Sequence, residues 1–120
     1  MTGEVEFTTE ETLAMMGILN NMECRTRGMM TWVDELAQVV ELTADEKEIC
    51  KLRQQQVGGR SFYAWEPGHS FAREFNNRQQ QSLRQWVENP PEGAPAWNRQ
   101  QLPLYNSLLE KLGGDALEHE

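Results

Sequence analysis

Apolar residues recur along this chain at spacings that predict helices. Met15, Ile18, Leu19 and Met22 fall at i, i+3, i+4 and i+7, and Leu13 and Met16 widen that face. The spacing predicts a first helix buried on most sides. Thr8-Thr9-Glu10-Glu11 reads as its start, because a Thr oxygen accepts an orphan backbone N–H while Glu11 reaches back. Arg25-Thr26-Arg27-Gly28 reads as its stop, since basic side chains suit a helix C-terminus and Gly tolerates a left-handed cap. Met29, Trp32, Val33, Leu36, Val39 and Val40 repeat the template in a second helix, with Asp34, Glu35, Gln38 and Glu41 around the rest of its circumference. Thr43 and Glu46 form another capping box and open a third helix, expected to reach about Gln56. Its apolar content is thin: Ile49, Leu52 and Cys50.

Val57-Gly58-Gly59 breaks the helical pattern, and Ser61 to Trp65 is short and aromatic before the turn signal Glu66-Pro67-Gly68. An extended segment or small hairpin is expected near 57–66. A fourth helix is expected from His69 or Ser70 to about Glu88, with Phe71, Phe75, Leu83, Trp86 and Val87 on one face and the polar run Asn76 to Gln81 in its middle. Residues 89–97 are a Pro-rich connection, a semi-rigid spacer rather than a domain boundary. Tyr105, Leu108, Leu109 and Leu112 mark a last helix beginning near Leu102, with Pro103 in its first turn. These patterns predict an all-α fold. It is a compact bundle of about five helices in one domain, 1–120, with residues 1–7 and 114–120 frayed.

A hydrophobic fraction of 38% over 120 residues supplies one modest core. No apolar run approaches the length of a bilayer span. Met1-Thr2-Gly3-Glu4 has no basic flank or apolar stretch of a secretion signal, and two Cys lie far apart, so a cytoplasmic protein with free thiols is expected. Charge divides the chain. Residues 1–48 hold eleven acids against three bases, whereas residues 49–89 hold six bases against three acids. The net charge of −8 repels phosphate backbones as a whole. The middle third nevertheless has the makings of a local basic face. Arg outnumbers Lys eight to three, and Arg makes two-pronged contacts with carboxylates and phosphates.

Reactive constellations are sparse. Cys24, Cys50, His69 and His119 lack the spacings of a metal site. There is no G-x-S-x-G, and Gly58-Gly59-Arg60 leads into aromatics rather than a phosphate-cradling helix. The paired carboxylates sit at helix starts or on polar faces, where solvated acids are ordinary. No enzyme and no cofactor is expected. Two surfaces stand out instead. Arg60, Phe62, Tyr63, Trp65, Arg78 and Trp97 interleave Arg with aromatics, the composition of a protein–protein hot spot or of a base-stacking platform, and equally of core residues beside solvated Arg. Asp34, Glu35, Glu41, Asp45 and Glu46 suit a partner with a basic surface, as nucleic-acid mimics do, or simple solubilising charge.

The order of parts adds a context. Gly17-Ile18-Leu19 in the first helix leads to the Leu36 helix and then to Leu42-Thr43-Ala44-Asp45-Glu46. Gly59 to Trp65 precedes a long helix, and Leu102 through Tyr105 to Leu112 closes the pattern. This layout resembles small helical proteins encoded by phages and prophages. In that group a stretch like Trp65-Glu66 runs into a second short strand, whereas here Pro67-Gly68-His69 intervenes. The resemblance implies a mobile-element accessory protein that binds a host component. The leading expectation is an anti-CRISPR-like inhibitor or modulator of a host nucleic-acid-handling or defence complex, acting by steric or electrostatic occlusion. A small nucleic-acid-binding regulator using the basic middle third is the alternative, and a homodimeric structural protein is a third.

Overall fold

The computed structural model describes residues 4–113. Among them the elements run β1 (Glu4–Thr8), α1 (Thr9–Asn21), α2 (Arg27–Val40), α3 (Ala44–Ile49), β2 (Arg53–Val57), β3 (Arg60–Ala64), β4 (Ser70–Glu74), α4 (Asn77–Glu88), a 3-10 turn (Arg99–Gln101) and α5 (Leu102–Lys111). The fold is therefore mixed α/β rather than all-α. Five helices are accompanied by two separate two-stranded antiparallel sheets, β1 with β4 and β2 with β3.

The corrections have local causes. Residues 4–7, expected to fray, form a strand that runs on to Thr8 and alternates strictly: Val5 and Phe7 turn inward while Glu4, Glu6 and Thr8 face water. They pair with Ser70–Glu74, a stretch whose spacing predicts the start of the fourth helix, in a register setting Phe7 opposite Phe71 and Val5 opposite Arg73. That helix starts later because Asn76 caps it, its side chain accepting from Gln79 N–H while Gln79 reaches back. The third helix stops at Ile49. Lys51 then adopts a left-handed φ of 53°, which swings the chain into β2. Thr26 starts α2 instead of ending α1, accepting from Met29 N–H. The expected fraying of 114–120 lies outside the described residues.

Other sequence signals hold. Thr8 with Glu11 and Thr43 with Glu46 form the two expected capping boxes, and α5 begins at Leu102 with Pro103 in its first turn. The main core gathers Phe7, Met15, Leu36, Val40, Leu83, Val87, Leu108 and Leu109 from α1, α2, α4, α5 and β1. Phe7 meets Phe75 edge to face at 5.9 Å between centroids. A smaller cluster of Leu42, Cys50 and Phe71, flanked by Leu13, Leu52 and Trp65, lies beneath the root of the β2–β3 hairpin.

Two ion pairs tie distant segments across these cores. Glu11 is buried, and Lys111 and Ser107 of α5 both donate to its carboxylate, which also accepts from Thr8 N–H. Burial opposes its ionisation, but these hydrogen bonds prevail and hold its carboxyl below the ordinary value. Arg73 reaches from β4 to Glu46 in a two-pronged contact and also donates to the Val40 and Glu41 carbonyls at the end of α2. It thereby supplies the cation that this helix terminus lacks in its own last turn.

Candidate functional site

The β2–β3 hairpin is the part of the described molecule that the core does not claim. Gly58 and Gly59 form a two-residue turn with φ of 61° and 80°. Left-handed residues at both positions give the primed turn whose twist matches an antiparallel ribbon, and glycine takes that conformation at least cost. Every residue from Arg53 to Tyr63 is exposed. Val57 is 63% exposed, Phe62 45% and Tyr63 57%. These values belong to large apolar groups on a surface, not to core.

Cross-strand partners share a face. The register therefore puts Arg53, Gln55, Val57, Arg60 and Phe62 on one side, and Gln54, Gln56, Ser61 and Tyr63 on the other. No acid occurs between Leu52 and Trp65. The acid just beyond, Glu66, is matched by His69 at 3.3 Å and Lys51 at 3.4 Å. The hydrogen bonds from His69 and Lys51 hold its carboxyl below the ordinary value. The ribbon's positive charge is thus not cancelled at its root. Tyr63 also lines a groove of about 470 Å³ together with Leu13, Met16, Glu41, Lys47 and Leu52.

The other residues singled out by sequence are dispersed. Trp65 is half-buried against the small cluster at the hairpin's root. Arg78 lies 4.5 Å over the Trp32 ring, a cation–π contact within the protein. Trp97 is half-buried, its indole N–H donating to the Val87 carbonyl at 2.8 Å and its ring meeting Tyr105 edge to face. Asp34, Glu35, Glu41 and Asp45 are exposed, but Glu46 is spent on its capping box and on Arg73. The single Arg–aromatic block read from sequence is therefore split, with Arg60, Phe62 and Tyr63 together and Arg78 and Trp97 elsewhere. Sequence reading missed Arg53, Gln54, Gln55, Gln56 and Val57, having placed them in or just beyond the third helix. Gly-Gly flanked by residues able to form strands was the signal that marks such a hairpin.

Cys50 is buried, Cys24 is half-buried, and among the described residues no three His, Cys, Asp or Glu side chains are arranged to hold a metal ion. No described helix is long and apolar enough to cross a membrane. No protein-family model, curated protein or solved structure matches this chain.

Proposed function

We propose that this protein is a non-enzymatic binding module that engages another protein through the β2–β3 hairpin. One observation carries the reading. The hairpin exposes Phe62 and Val57 on the face they share with Arg53 and Arg60, and Tyr63 on the opposite face, whereas the large apolar residues of the helices are mostly closed into cores, with Met30 and Ile49 the exposed exceptions. Tyr and Arg anchors surrounded by apolar contact are what alanine scanning finds at the centre of protein interfaces. The mobile-element setting implied by the layout makes a host nucleic-acid-handling or defence complex the first partner class to test. The exposed acids Asp34, Glu35, Glu41 and Asp45 would add electrostatic complementarity to a basic region of that partner.

A second reading has its own support, the absence of any acid over residues 52–65 on a ribbon carrying two Arg, three Gln and two aromatics. It assigns the same hairpin to nucleic acid. Two hairpin variants, Phe62→Ser with Tyr63→Ser and Arg53→Glu with Arg60→Glu, separate these readings. In affinity capture from host extract, both are expected to lose the specific partner, while Glu110→Gln, an exposed acid of α5 outside both surfaces, keeps it. Capture unaffected by either hairpin variant refutes the reading. Direct binding to purified oligonucleotides that weakens steeply with added salt transfers the hairpin to the second reading.

A further inference from the structure

The C-terminal end of α4 carries an electrostatic arrangement that the fold does not need. Cations suit the last turn of a helix, where backbone carbonyls concentrate negative potential, and acids there are unfavourable. At the end of α2, Arg73 supplies that cation from β4. At the end of α4 there is no basic residue in the last turn, and the final residue is Glu88. Arg84, one turn earlier on the same face, turns away and donates to the Gly113 carbonyl. Among the described residues Glu88 forms no ion pair.

Beside this end lies a cavity of about 410 Å³ walled by Trp97 and Tyr105, with Glu88 on its rim and Pro90, Ala94 and Leu102 completing it. The two rings stand at 78° with centroids 5.4 Å apart, which makes a corner. The corner is pre-organised, because the indole N–H is fixed on the Val87 carbonyl and Ala94 and Trp97 pack onto the main core. Burial and the Glu88 charge push the Tyr105 hydroxyl above the ordinary phenol value, so the negative field of Glu88 reaches that ring.

We propose that this corner is a binding site for an alkylated ammonium group. The Glu88 carboxylate and the helix end favour positive charge there, two aromatic rings line the same cavity, and aromatic walls are a recognised means of holding a quaternary ammonium. Alkylation follows from the lining. A primary ammonium has three N–H donors to satisfy. The Val87 carbonyl already accepts from Trp97 and the Asn98 side chain from Gln100 N–H, which leaves the Glu88 carboxylate as the charged acceptor on the cavity, too few partners for all three donors. What remains is mostly apolar wall, which suits N-methyl groups. The cation can come from a small metabolite or from a methylated lysine of another protein. The site is independent of the hairpin, so neither assignment falls with the other.

The test is titration of the full chain, followed by the indole N–H resonance of Trp97, with choline, its neutral isostere 3,3-dimethylbutan-1-ol and a trimethyl-lysine peptide. Choline or the peptide is expected to shift that resonance saturably, with the neutral isostere about tenfold weaker, as the charge contribution requires. Glu88→Gln is expected to weaken the cation about fivefold while leaving Tm unchanged or slightly raised, since an acid leaves a helix C-terminus. Glu35→Gln is the unaffected control. Tighter binding of the peptide assigns the cation to a partner's side chain, and tighter or equal binding of choline assigns it to a small molecule. Equal binding of the neutral isostere, indifference to Glu88→Gln, or no saturable shift with either cation overturns the proposal.

Discussion

The described residues contain two antiparallel pairs of five-residue strands, and they are put to opposite uses. The β1–β4 pair has one wet face and one dry face, with Val5, Phe7, Phe71 and Arg73 turned inward and Glu4, Glu6, Ala72 and Glu74 outward. Its strands lie more than sixty residues apart in the chain, so its formation closes the fold. The β2–β3 pair closes only its own two-residue turn, and its side chains remain in water. An isolated two-stranded ribbon is at best marginally stable. This one rests on its root, where the small Leu42–Cys50–Phe71 cluster, flanked by Leu52 and Trp65, holds the flanking chain and Glu66 N–H donates to the Cys50 carbonyl. The same secondary structure can therefore serve as a clamp or as a display. What separates them is whether alternation gives the sheet an apolar side.

Breaking the clamp has the largest expected effect. Phe7→Ala removes a ring that is fully buried and meets Phe75 edge to face, and should cost about 3–5 kcal/mol in chemical denaturation. Removing Arg73 comes next. Its side chain is 9% exposed and that of Glu46 is 16%, so Arg73→Ala strands a nearly buried carboxylate and should cost about 2–3 kcal/mol. The same pair sets a pH dependence. The hydrogen bonds from Arg73 outweigh desolvation and hold the Glu46 carboxyl below its ordinary 4.5, so its stabilisation is present above that value. It is lost as pH falls through the folded-state value. Denaturation at stepped pH should therefore show the wild type losing more stability than Arg73→Ala below about pH 4.5. The smallest effect belongs to the display. Phe62→Ser with Tyr63→Ser should change stability by no more than about 0.5 kcal/mol, measured by thermal melting, while abolishing partner capture.

Much of the helical framework was legible because its signals are local. A capping box spans four residues, and the apolar face of α2 repeats within two turns, so Thr8, Thr43 and the Trp32–Val40 stripe could be read without knowing the fold. The clamp was not legible in the same way. Phe71 and Phe75 stand four apart and satisfy a helical template, although one ends in the small cluster and the other in the main core. The alternation of Val5 and Phe7 was a genuine strand signal, but its partner lies far along the chain. β2 offered less still. Arg53-Gln54-Gln55-Gln56 buries neither face, so no periodicity could mark it, and only the Gly58–Gly59 turn betrayed it. Among the candidate residues, Phe62 and Tyr63 stood out in the sequence because aromatics interleaved with Arg are chemically conspicuous, but only the structure shows that both are exposed. Glu88 was not, because its meaning depends on which helix end it occupies and which rings stand beside it.

The anchoring of Glu11 has a consequence for synthesis. Its partners Ser107 and Lys111 are 96 and 100 positions further along. At translation rates of about 5–20 residues per second, roughly 5–20 s separate their emergence. During that interval α1 can wind locally around its own cap, but docking it would leave a carboxylate in apolar surroundings without its ammonium. Docking of α1 therefore waits on the emergence of α5, and a helix made early is sealed into place by a segment made well after it.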